Sequence, residues 1–449
     1  MLQSVSNGMC KVVKKVVPSP YVLAIFLTLL TFLLGWILTP STFINMCNYM
    51  GAGMFSLLSF TMQMVLVLVT GHILANAPIV KKWLIALAHL PRSRTQAIMM
   101  VGVIGFLATY INWGFGLVVG AIIAKEVAKS MHGNHVHYPL LIAVAYAGNI
   151  ARGPSSAIAI APASADSIVY DFVGVVPVSQ SLFSTWNLLI TAIVLLVSMI
   201  MFTRMQPSEE NAIEISLSAF GEDSKPAGSV VPKNKDAGSF AAKLDNNMLL
   251  AYIPAIIVII YLVSYFYTNK SLNFDLNIVI AIFFALGALA HKTPGAYSRA
   301  MGEAIKSAAG ITLQFMFYAA ITGMMKNSGL AVMLADFFVN VASAKTLPMF
   351  TFLSAGILNI FIPSGGGQWA VQGPIMMPAG ANLGIDAGRT AMAIAWGDQW
   401  TNMIQPFWAL PALGIAKLSA RDIMGYLVIV TLFVGVVACL GFLAWAAWF

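Results

Sequence analysis

Charged residues are scarce in this sequence. Asp, Glu, Lys and Arg make up 9% of its 449 residues, and hydrophobic residues make up 59%, whereas roughly a quarter of the residues of a soluble domain are charged. Several apolar runs reach the roughly 20 residues that a helix needs to cross a bilayer. The period-2 alternation of an outer-membrane barrel is absent. The composition excludes an ordinary soluble domain and predicts an all-α, polytopic membrane protein.

The sequence also lacks the motifs of hydrolytic and metal sites. It contains neither HExxH nor GxSxG, and the Ser155–Ser156 pair has no histidine in its own apolar segment to act as a base. The run MHGNHVH lies in a predicted cytoplasmic loop without a cysteine or carboxylate partner, and its histidines are His132, His135 and His137. The three cysteines lie far apart, with neither metal nor disulfide spacing: Cys10, Cys47 and Cys439. We therefore expect no enzyme activity, no metal centre and no cofactor other than a coupling H⁺ or Na⁺.

The net charge of +8 indicates membrane topology rather than a nucleic-acid partner, because of where the charges lie. The segments 39–50 and 164–181 contain no Lys or Arg, which is typical of loops outside the cytoplasm. The first apolar run, from Tyr21 to Leu38, follows a basic start, and we expect it to be a retained span rather than a cleaved signal. The charge pattern predicts a cytoplasmic N-terminus and a C-terminus on the opposite side.

Hydropathy predicts nine spans in two groups, two of them broken by polar, Pro-containing peptide. The first group comprises 20–38, 51–75, the broken segment 139–163, and 182–203; the second comprises 249–268, 275–290, 307–327, the broken segment 390–412, and 424–447. Two further apolar segments, 97–130 and 347–381, are interrupted by Gly-rich polar peptide, and we expect re-entrant hairpins there. The polar segment 204–246 is then a cytoplasmic linker between a first repeat, 1–203, and a second, 247–449.

The two halves share an order of features. SFTMQMVLVLVTGHILAN at 59–76 matches GITLQFMFYAAITGMMKN at 310–327 in its Thr, Gln, Thr-Gly and Asn positions. Gln63 and Gln314 occupy matching places and either bond neighbouring helices or contact substrate. In each half a hairpin and then a broken helix follow. The predicted topology gives the halves opposite orientations, and such an inverted repeat is typical of secondary transporters.

Non-helical peptide at membrane depth needs protein or water around it, because its backbone groups cannot stay unpaired in lipid. We therefore expect the two hairpin tips and the two broken helices to meet near the midplane, with amides that bind anions and oxygens that hold a cation. Glycine allows the backbone to approach a substrate closely. The candidate substrate-binding residues at these places are Asn112, Trp113, Gly114, Gly116, Asn149, Arg152, Ser155, Ser156, Ser364, Gly365, Gly366, Gly367, Gln368, Trp369, Thr401, Asn402 and Gln405.

Two charged residues lie at predicted membrane depth, where a charge costs at least about 2.5 kcal/mol. Arg152 lies in the first broken helix and either clamps the substrate carboxylate or neutralises Asp398 in the second. Asp398 is the candidate ion-coupling residue, which either carries a proton or helps to bind Na⁺. Thr401, Asn402 and Gln405 follow Asp398 with helical spacing, so a helix would bring them to one face.

Trp113 and Trp369 occupy equivalent positions in the two hairpins. Each either walls a pocket over the acyl chain of a substrate or lies at the bilayer interface, where tryptophan is common.

The sequence around these residues resembles one known family. INWGFGLVVGAIIAKEVA at 111–128, FIPSGGGQWAVQGPIMMPA at 361–379 and GDQWTNMIQPFWALPALGIA at 397–416 are similar to the bacterial short-chain fatty acid transporter family, and the likeness runs nearly end to end. The resemblance implies an inner-membrane permease for small monocarboxylates such as acetoacetate or butyrate. It also implies kinship with a larger ion-transporter superfamily, whose members move substrate by an elevator motion of a hairpin-bearing domain.

We therefore predict a secondary carrier of small monocarboxylate anions, driven by symport of H⁺ or Na⁺. Its expected partners are the lipid bilayer and the carboxylate substrate. The sequence does not decide whether the protein forms a homodimer. The alternatives are a carrier of another small organic anion, such as a dicarboxylate or an amino-acid-like compound, an ion channel, and an intramembrane enzyme. A channel is disfavoured because the sequence lacks the rings of like charge that line many pores.

Overall fold

The computed structural model describes residues 20–150, 153, 154, 156–163, 167–220, 239–269, 276–362 and 365–448, together with Gly8 and Pro18. Within these ranges every regular element is a helix. The first half contains α1 (Pro20–Leu38), α2 (Phe43–Gly53), α3 (Leu58–Ala75), α4 (Pro78–Ala88), α5 (Arg94–Ile111), α6 (Trp113–Ser130), α7 (Tyr138–Ala147), α8 (Ala157–Ile160), α9 (Tyr170–Val173) and α10 (Thr185–Arg204).

The second half begins with the short α11 (Phe240–Asp245). The longer helices that follow are α12 (Met248–Asn269), α13 (Leu276–His291), α14 (Pro294–Ala304), α15 (Ala309–Asn327), α16 (Leu330–Asn340), α17 (Leu347–Phe361), α18 (Gly365–Asn382), α19 (Ala387–Asn402), α20 (Pro406–Ala416) and α21 (Ala420–Trp448). Single turns of 3₁₀ helix lie at Gly148–Ile150, Ala161–Ala163, Glu209–Asn211, Leu217–Phe220 and Ile305–Ala308.

In the part of the chain that the structure describes, five helices are long and apolar enough to cross a membrane: Tyr21–Leu38, Arg94–Ile111, Thr185–Arg204, Met248–Thr268 and Ala420–Trp445. A sixth candidate is the pair Thr61–Ala75 and Pro78–Ala88, which bends by 70°. Shorter apolar helices lie at Tyr138–Ile150, Asn277–His291 and Leu347–Phe361. The protein is therefore an all-helical, multi-pass membrane protein.

The predicted span 51–75 was wrong at its start. The helix of this segment, α3, begins at Leu58, after turns at residues 54–57. Residues 43–53 form the separate helix α2, which begins where the Thr42 side chain accepts the Asn45 N–H at 3.2 Å. A Ser or Thr cap of this kind satisfies one of the free amides at a helix start. The segment 39–50, predicted as a loop, is therefore largely helical.

The centre of the molecule is formed by α6, α7 and α19, which are buried along most of their length. By contrast, only 22% of the α1 span and 17% of the α12 span are buried. Both helices are strongly apolar, so their uncovered side chains suit contact with lipid. The peripheral helices thus enclose a central group of buried helices that holds the polar residues described below.

The first interrupted segment turns back on itself at Asn112. This residue ends α5 and begins α6 in an extended conformation, with φ −154° and ψ 126°, and its Oδ1 accepts the Phe115 N–H at 2.9 Å. The two helices pack closely, because a Cβ added to Gly116 would lie 2.1 Å from Thr109 Oγ1. Only glycine fits there without displacing α5.

The second interrupted segment has the same form. α17 ends at Phe361 and α18 begins at Gly365. Gln368 donates from Nε2 to the Ala355 carbonyl at 3.0 Å, so the start of α18 packs back on the end of α17. Gly397 of α19 fits against α17, since a Cβ there would lie 2.2 Å from the Phe352 carbonyl oxygen.

Helix α7 holds both parts of the broken segment near the C-terminus. Tyr146 donates its hydroxyl to the Asn402 carbonyl at 2.7 Å, where α19 ends. Tyr138 donates to the Ala416 carbonyl at 3.0 Å, where α20 ends. The last carbonyls of a helix lack intrahelical partners, so Tyr146 satisfies one that the break exposes and Tyr138 satisfies one at the far end of α20.

Part of the predicted polar linker is packed against the protein. Ile213 donates its N–H to His137 Nδ1 at 2.9 Å, and its carbonyl accepts the Tyr138 N–H at 2.8 Å. Glu214 accepts the N–H groups of Gly133 at 3.0 Å and His135 at 2.5 Å. The linker is therefore anchored to the loop that joins α6 and α7.

These contacts correct the sequence-based description of the histidine run. That description gave the run no carboxylate partner, but Glu214 lies 3.7 Å from His132 Nε2. The carboxylate was missed because it comes from a distant part of the chain. Within the described residues no group of three or more metal-binding side chains is found.

Candidate functional site

Asn359 joins the second helix pair to the end of α19. Its Nδ2 group lies 2.6 Å from the Asp398 carbonyl, 2.9 Å from Thr401 Oγ1 and 2.8 Å from Asn402 Oδ1. The side chain is fully buried. Because its two N–H groups serve three oxygens, Asn359 fixes the geometry of the last turn before the break.

A chain of amide hydrogen bonds continues to the first broken helix. Asn402 Nδ2 lies 3.4 Å from Gln399 Oε1, and Gln399 Nε2 donates to the carbonyl of Asn149. Asn149 lies in the 3₁₀ turn where α7 ends. The two breaks, more than half the sequence apart, therefore meet through Asn359, Asn402 and Gln399. Linked amides of this kind hold each other in one orientation.

Three buried amide oxygens around this chain accept no hydrogen bond from any described residue: Asn359 Oδ1, Gln368 Oε1 and Gln405 Oε1. Their N–H groups are engaged, since Gln405 Nε2 donates to the Asn359 carbonyl at 2.8 Å and Gln368 Nε2 to Gln372 Oε1 at 3.0 Å. A buried acceptor left without a partner costs about 1–3 kcal/mol. Such acceptors need a donor or a cation from a water, an ion, a ligand or a side chain outside the described residues.

Asp398 lies in the same place, with 1% of its surface exposed. It belongs to the last turns of α19, and its own carbonyl accepts from Asn359. Carboxylates within the membrane are rare and mark ion or substrate pathways. A buried carboxylate in a helix that carries the amide network suits the binding of a small cation or a proton.

The turn at Asn112, between α5 and α6, carries a different group of residues. Asn112 is buried, and its Nδ2 meets no acceptor within the described part of the chain. The next residue, Trp113, packs its ring on that of Trp408, with centroids 5.5 Å apart and planes at 81°. An unpaired donor beside aromatic rings can meet a ligand with one polar and one apolar end.

Gly114 and Gly116 have a packing reason for lacking a side chain. A Cβ on Gly114 would lie 2.3 Å from Val67 Cγ1, and one on Gly116 would meet Thr109. These contacts bring α6 close to α3 and α5. The expected close approach of a ligand to these two glycines therefore stays a proposal.

The glycines at the start of α18 differ from one another in exposure. Gly366 is exposed, and a Cβ added to it would meet no described atom within 4 Å. Gly365 and Gly367 are partly buried. Trp369 is buried beside Gly373, whose added Cβ would lie 3.2 Å from the indole. The two hairpin tryptophans thus have different surroundings.

The structure brings three candidates from the second half, Thr401, Asn402 and Gln405, together with Asn149 from the first. Thr401 donates to the Gly356 carbonyl at 2.8 Å and so joins the same group of side chains. Ser156 is buried near the first break. Three candidates lie outside the described residues: Arg152, Ser155 and Ser364. Whether Arg152 binds the substrate carboxylate or pairs with Asp398 therefore stays a prediction from the sequence.

Four residues of the site were missed by the sequence analysis: Ser354, Asn359, Gln372 and Gln399. Gln372 Nε2 donates to Ser354 Oγ at 2.8 Å and continues the network from Gln368. Asn359 is the only amide side chain in LPMFTFLSAGILNIF, the sequence of α17. An amide in a mostly apolar helix indicates a helix–helix bond or a site, and the sequence carries this signal.

Gln63 and Gln314 play different parts despite their matching positions. Gln63 donates from Nε2 to Asn277 Oδ1 at 3.0 Å and so joins α3 to α13. Gln314 is buried, and its Oε1 accepts no hydrogen bond from the described residues. The helix–helix alternative therefore applies to Gln63.

Comparison with known proteins adds independent information. A sequence profile described as short chain fatty acid transporter matches residues 1–445. A protein of Escherichia coli (strain K12), named a candidate short-chain fatty acid transporter, is 42% identical over 443 residues, which cover 98% of this chain and 99% of that protein. A protein of the same name from Haemophilus influenzae (strain ATCC 51907 / DSM 11121 / KW20 / Rd) is 39% identical over 452 residues, covering 98% and 99% of the two chains.

Among solved structures, the chain is similar to that of MtrF from Neisseria gonorrhoeae, which is described as illuminating a class of antimetabolite efflux pumps. The TM-score is 0.44 at 16% sequence identity, with 97% of each chain covered.

Proposed function

Because the chain belongs to the short chain fatty acid transporter family, we propose that it is a secondary carrier that moves short-chain fatty acids and other small monocarboxylate anions together with a cation. The family membership confirms the resemblance seen in the sequence. It also makes the protein a membrane transporter and not an enzyme. The direction of transport, the cation and the site residues belong to the proposal.

The polar network between the two breaks is the observation that carries the proposal. It joins Asn149 to Asn359 through Gln399 and Asn402, and it surrounds buried groups that lack a partner among the described residues. A ligand that supplies both positive charge and acceptor oxygens would satisfy them. A carboxylate substrate with its co-transported cation has both.

The unpaired oxygens support cation binding. Asn359 Oδ1 and Gln405 Oε1 are neutral carbonyl-type ligands, and Asp398 adds a carboxylate in the same buried group. Oxygen atoms of this kind suit hard cations such as Na⁺. A proton would bind to Asp398 alone and leave the amide oxygens unsatisfied. The arrangement therefore favours Na⁺, and H⁺ is the alternative for the same carboxylate.

In this proposal the carboxylate of the substrate binds between the turn at Asn112 and the broken end of α7. Asn112 offers an N–H donor that has no partner among the described residues, and Asn149 and Ser156 of the first broken helix are also buried. Arg152, Ser155 and Ser364, predicted from the sequence, complete this part of the proposal. A guanidinium at Arg152 would bind the carboxylate through two parallel hydrogen bonds.

The two helix pairs support an alternating-access mechanism. α5 and α6 turn back at Asn112, and α17 and α18 turn back after Phe361. We propose that these pairs are the re-entrant hairpins of an inverted repeat, entering from opposite sides, with nine spans around them. The hairpins and broken helices would move together in an elevator motion in the bacterial inner membrane, with the N-terminus cytoplasmic and the C-terminus periplasmic.

Uptake by liposomes that contain the purified protein tests this function. Labelled butyrate is offered with an inward Na⁺ gradient, an inward H⁺ gradient, both, or neither. We expect saturable uptake above equilibrium with one of the gradients. Uptake that only follows the butyrate gradient, or an ohmic ion current, would contradict coupled transport.

A further inference from the structure

Three aromatic rings form a continuous contact between the starts of α6 and α20 and the middle of α15. Trp113 begins α6, directly after Asn112, and Trp408 lies in α20. Their ring centroids are 5.5 Å apart at 81°, and Phe315 of α15 lies 6.2 Å from Trp408 at 84°. Edge-to-face contacts of this kind favour a fixed relative orientation. We call Trp113, Trp408 and Phe315 the aromatic wall.

Two members of the aromatic wall are only partly covered by the protein. Trp113 and Trp408 have intermediate exposure, whereas Trp396, in the neighbouring α19, is completely buried. A lipid-facing tryptophan such as Trp83 is 70% exposed. The two rings thus differ both from core rings and from rings on the outer surface, and part of each indole remains accessible to a small molecule.

Each ring of the aromatic wall follows a polar amide residue closely in the sequence. Asn112 precedes Trp113, Gln314 precedes Phe315, and Gln405 lies shortly before Trp408. Each of these amides is buried and carries one polar atom without a hydrogen-bond partner among the described residues. The repeated pairing of an unsatisfied amide with an aromatic ring fits a ligand that has a polar head and a short apolar tail.

We propose that the aromatic wall holds the alkyl tail of the transported acid and sets the longest chain that the carrier accepts. The inference rests on the proposed function, because it assigns the tail of the same substrate. It differs from the sequence-based expectation, in which Trp113 and Trp369 share this role, since Trp113 packs on Trp408 and Trp369 lies elsewhere. A rigid apolar wall discriminates one methylene by roughly 10- to 200-fold.

Competition in proteoliposomes tests the inference. Uptake of labelled butyrate is inhibited by unlabelled acetate, butyrate, valerate and hexanoate, in the wild type and in Phe315→Ala. Removing the ring opens the far side of the wall, so we expect the inhibition constant of hexanoate, relative to butyrate, to fall about tenfold or more. Acetate, whose tail is a single methyl group, should change least.

Trp408→Phe provides a second variant that keeps an aromatic ring and is milder for folding. It should lower the inhibition constant of hexanoate, relative to that of butyrate, by a smaller factor. The thermal-unfolding midpoint of the detergent-purified variants, with each acid added, gives a readout that needs no transport. Longer acids should raise the midpoint more in the variants than in the wild type.

Phe442→Ala is the matched control. Phe442 is fully buried in α21 and stacks on Trp445 at 6.1 Å, so the same truncation is made in another aromatic cluster. It should leave the order of the acids unchanged. If Phe315→Ala and Trp408→Phe weaken all acids in parallel, the aromatic wall does not select the tail, although the carrier function stands. If the wild type takes up none of the acids, the proposed function and this inference both fail.

Discussion

The Nδ2 group of Asn359 lies 2.8 Å from Oδ1 of Asn402, across 43 positions of the chain. This contact fixes the second helix pair to the break in the helix beside it. Replacing Asn359 by alanine should therefore remove the donor from three oxygens at once. Because buried acceptors without a partner cost about 1–3 kcal/mol, we expect a stability loss of about 2 kcal/mol or more and loss of concentrative uptake. Thermal unfolding in detergent and uptake in liposomes measure the two effects.

Asn48→Ala is the control for Asn359→Ala. Asn48 is an exposed residue of α2, and its truncation should change neither stability nor uptake. Wild-type uptake by Asn359→Ala would show that the network is not part of the transport site.

Asp398→Asn should separate cation coupling from substrate binding. The substitution keeps the size of the side chain, replaces one acceptor oxygen by an NH₂ donor, and removes the charge that would bind a proton or help to bind Na⁺. We expect gradient-driven uptake of butyrate to be abolished while butyrate–butyrate exchange persists. Asp171→Asn, at an exposed position in α9, serves as the control. Full gradient-driven uptake by Asp398→Asn would remove this residue from the coupling mechanism.

Arg152→Ala should raise the KM for butyrate without a comparable loss of kcat. A hydrogen bond to a charged group contributes about 1.5–3 kcal/mol, and each 1.4 kcal/mol is a factor of about ten. The KM should therefore rise by about 10- to 100-fold. Initial rates of uptake over a range of butyrate concentrations measure it, with the exposed Arg299→Ala as the control. A normal KM in Arg152→Ala would exclude the clamp.

Gly116→Ala should destabilise the first helix pair. The new methyl group would lie 2.1 Å from Thr109 Oγ1, and overpacking of this kind costs about 1–3 kcal/mol. Gly366→Ala is the matched substitution in the second pair, where the methyl group would meet no described atom within 4 Å. We expect a lower unfolding midpoint for the first variant only. Equal midpoints would show that α5 and α6 do not pack as closely as described.

Glu214→Ala should release the linker from the loop between α6 and α7. It removes the acceptor for the N–H groups of Gly133 and His135. Hydrogen-exchange mass spectrometry should show faster exchange, by several-fold, in peptides from both the loop and residues 209–216. Glu210→Ala, an exposed neighbour, should leave exchange unchanged. Faster exchange in residues 209–216 alone would mean that the loop does not depend on this contact.

Much of the helical framework could be predicted because hydropathy is a local property of the sequence. The long apolar runs became α1, α10, α12 and α21. Helix breaks do lie at Asn112 and after Phe361, but the glycines expected in non-helical peptide belong to the first turns of α6 and α18. Helix α2 was missed because it has only 11 residues and contains polar side chains. Short helices of this kind depend on packing rather than on composition.

The long-range contacts could not be predicted from local patterns. Glu214 and His135 lie 79 positions apart, and nothing in either segment identifies its partner. The spacing of Thr401 and Asn402 predicted a shared helix face, and both side chains lie beside Asn359 Nδ2; their role in binding substrate stays a prediction. Asn359 was missed because its mostly apolar helix was treated only as one arm of a hairpin.

Counterflow in liposomes tests the central claim most directly. Vesicles with the purified protein are loaded with one unlabelled acid of two to six carbons and diluted into a trace of labelled butyrate, with Na⁺ and pH varied independently. A carrier of short-chain monocarboxylates predicts transient accumulation of label that saturates, depends on the loaded acid and vanishes in protein-free vesicles. Equal label inside and outside with every loaded acid would contradict the claim.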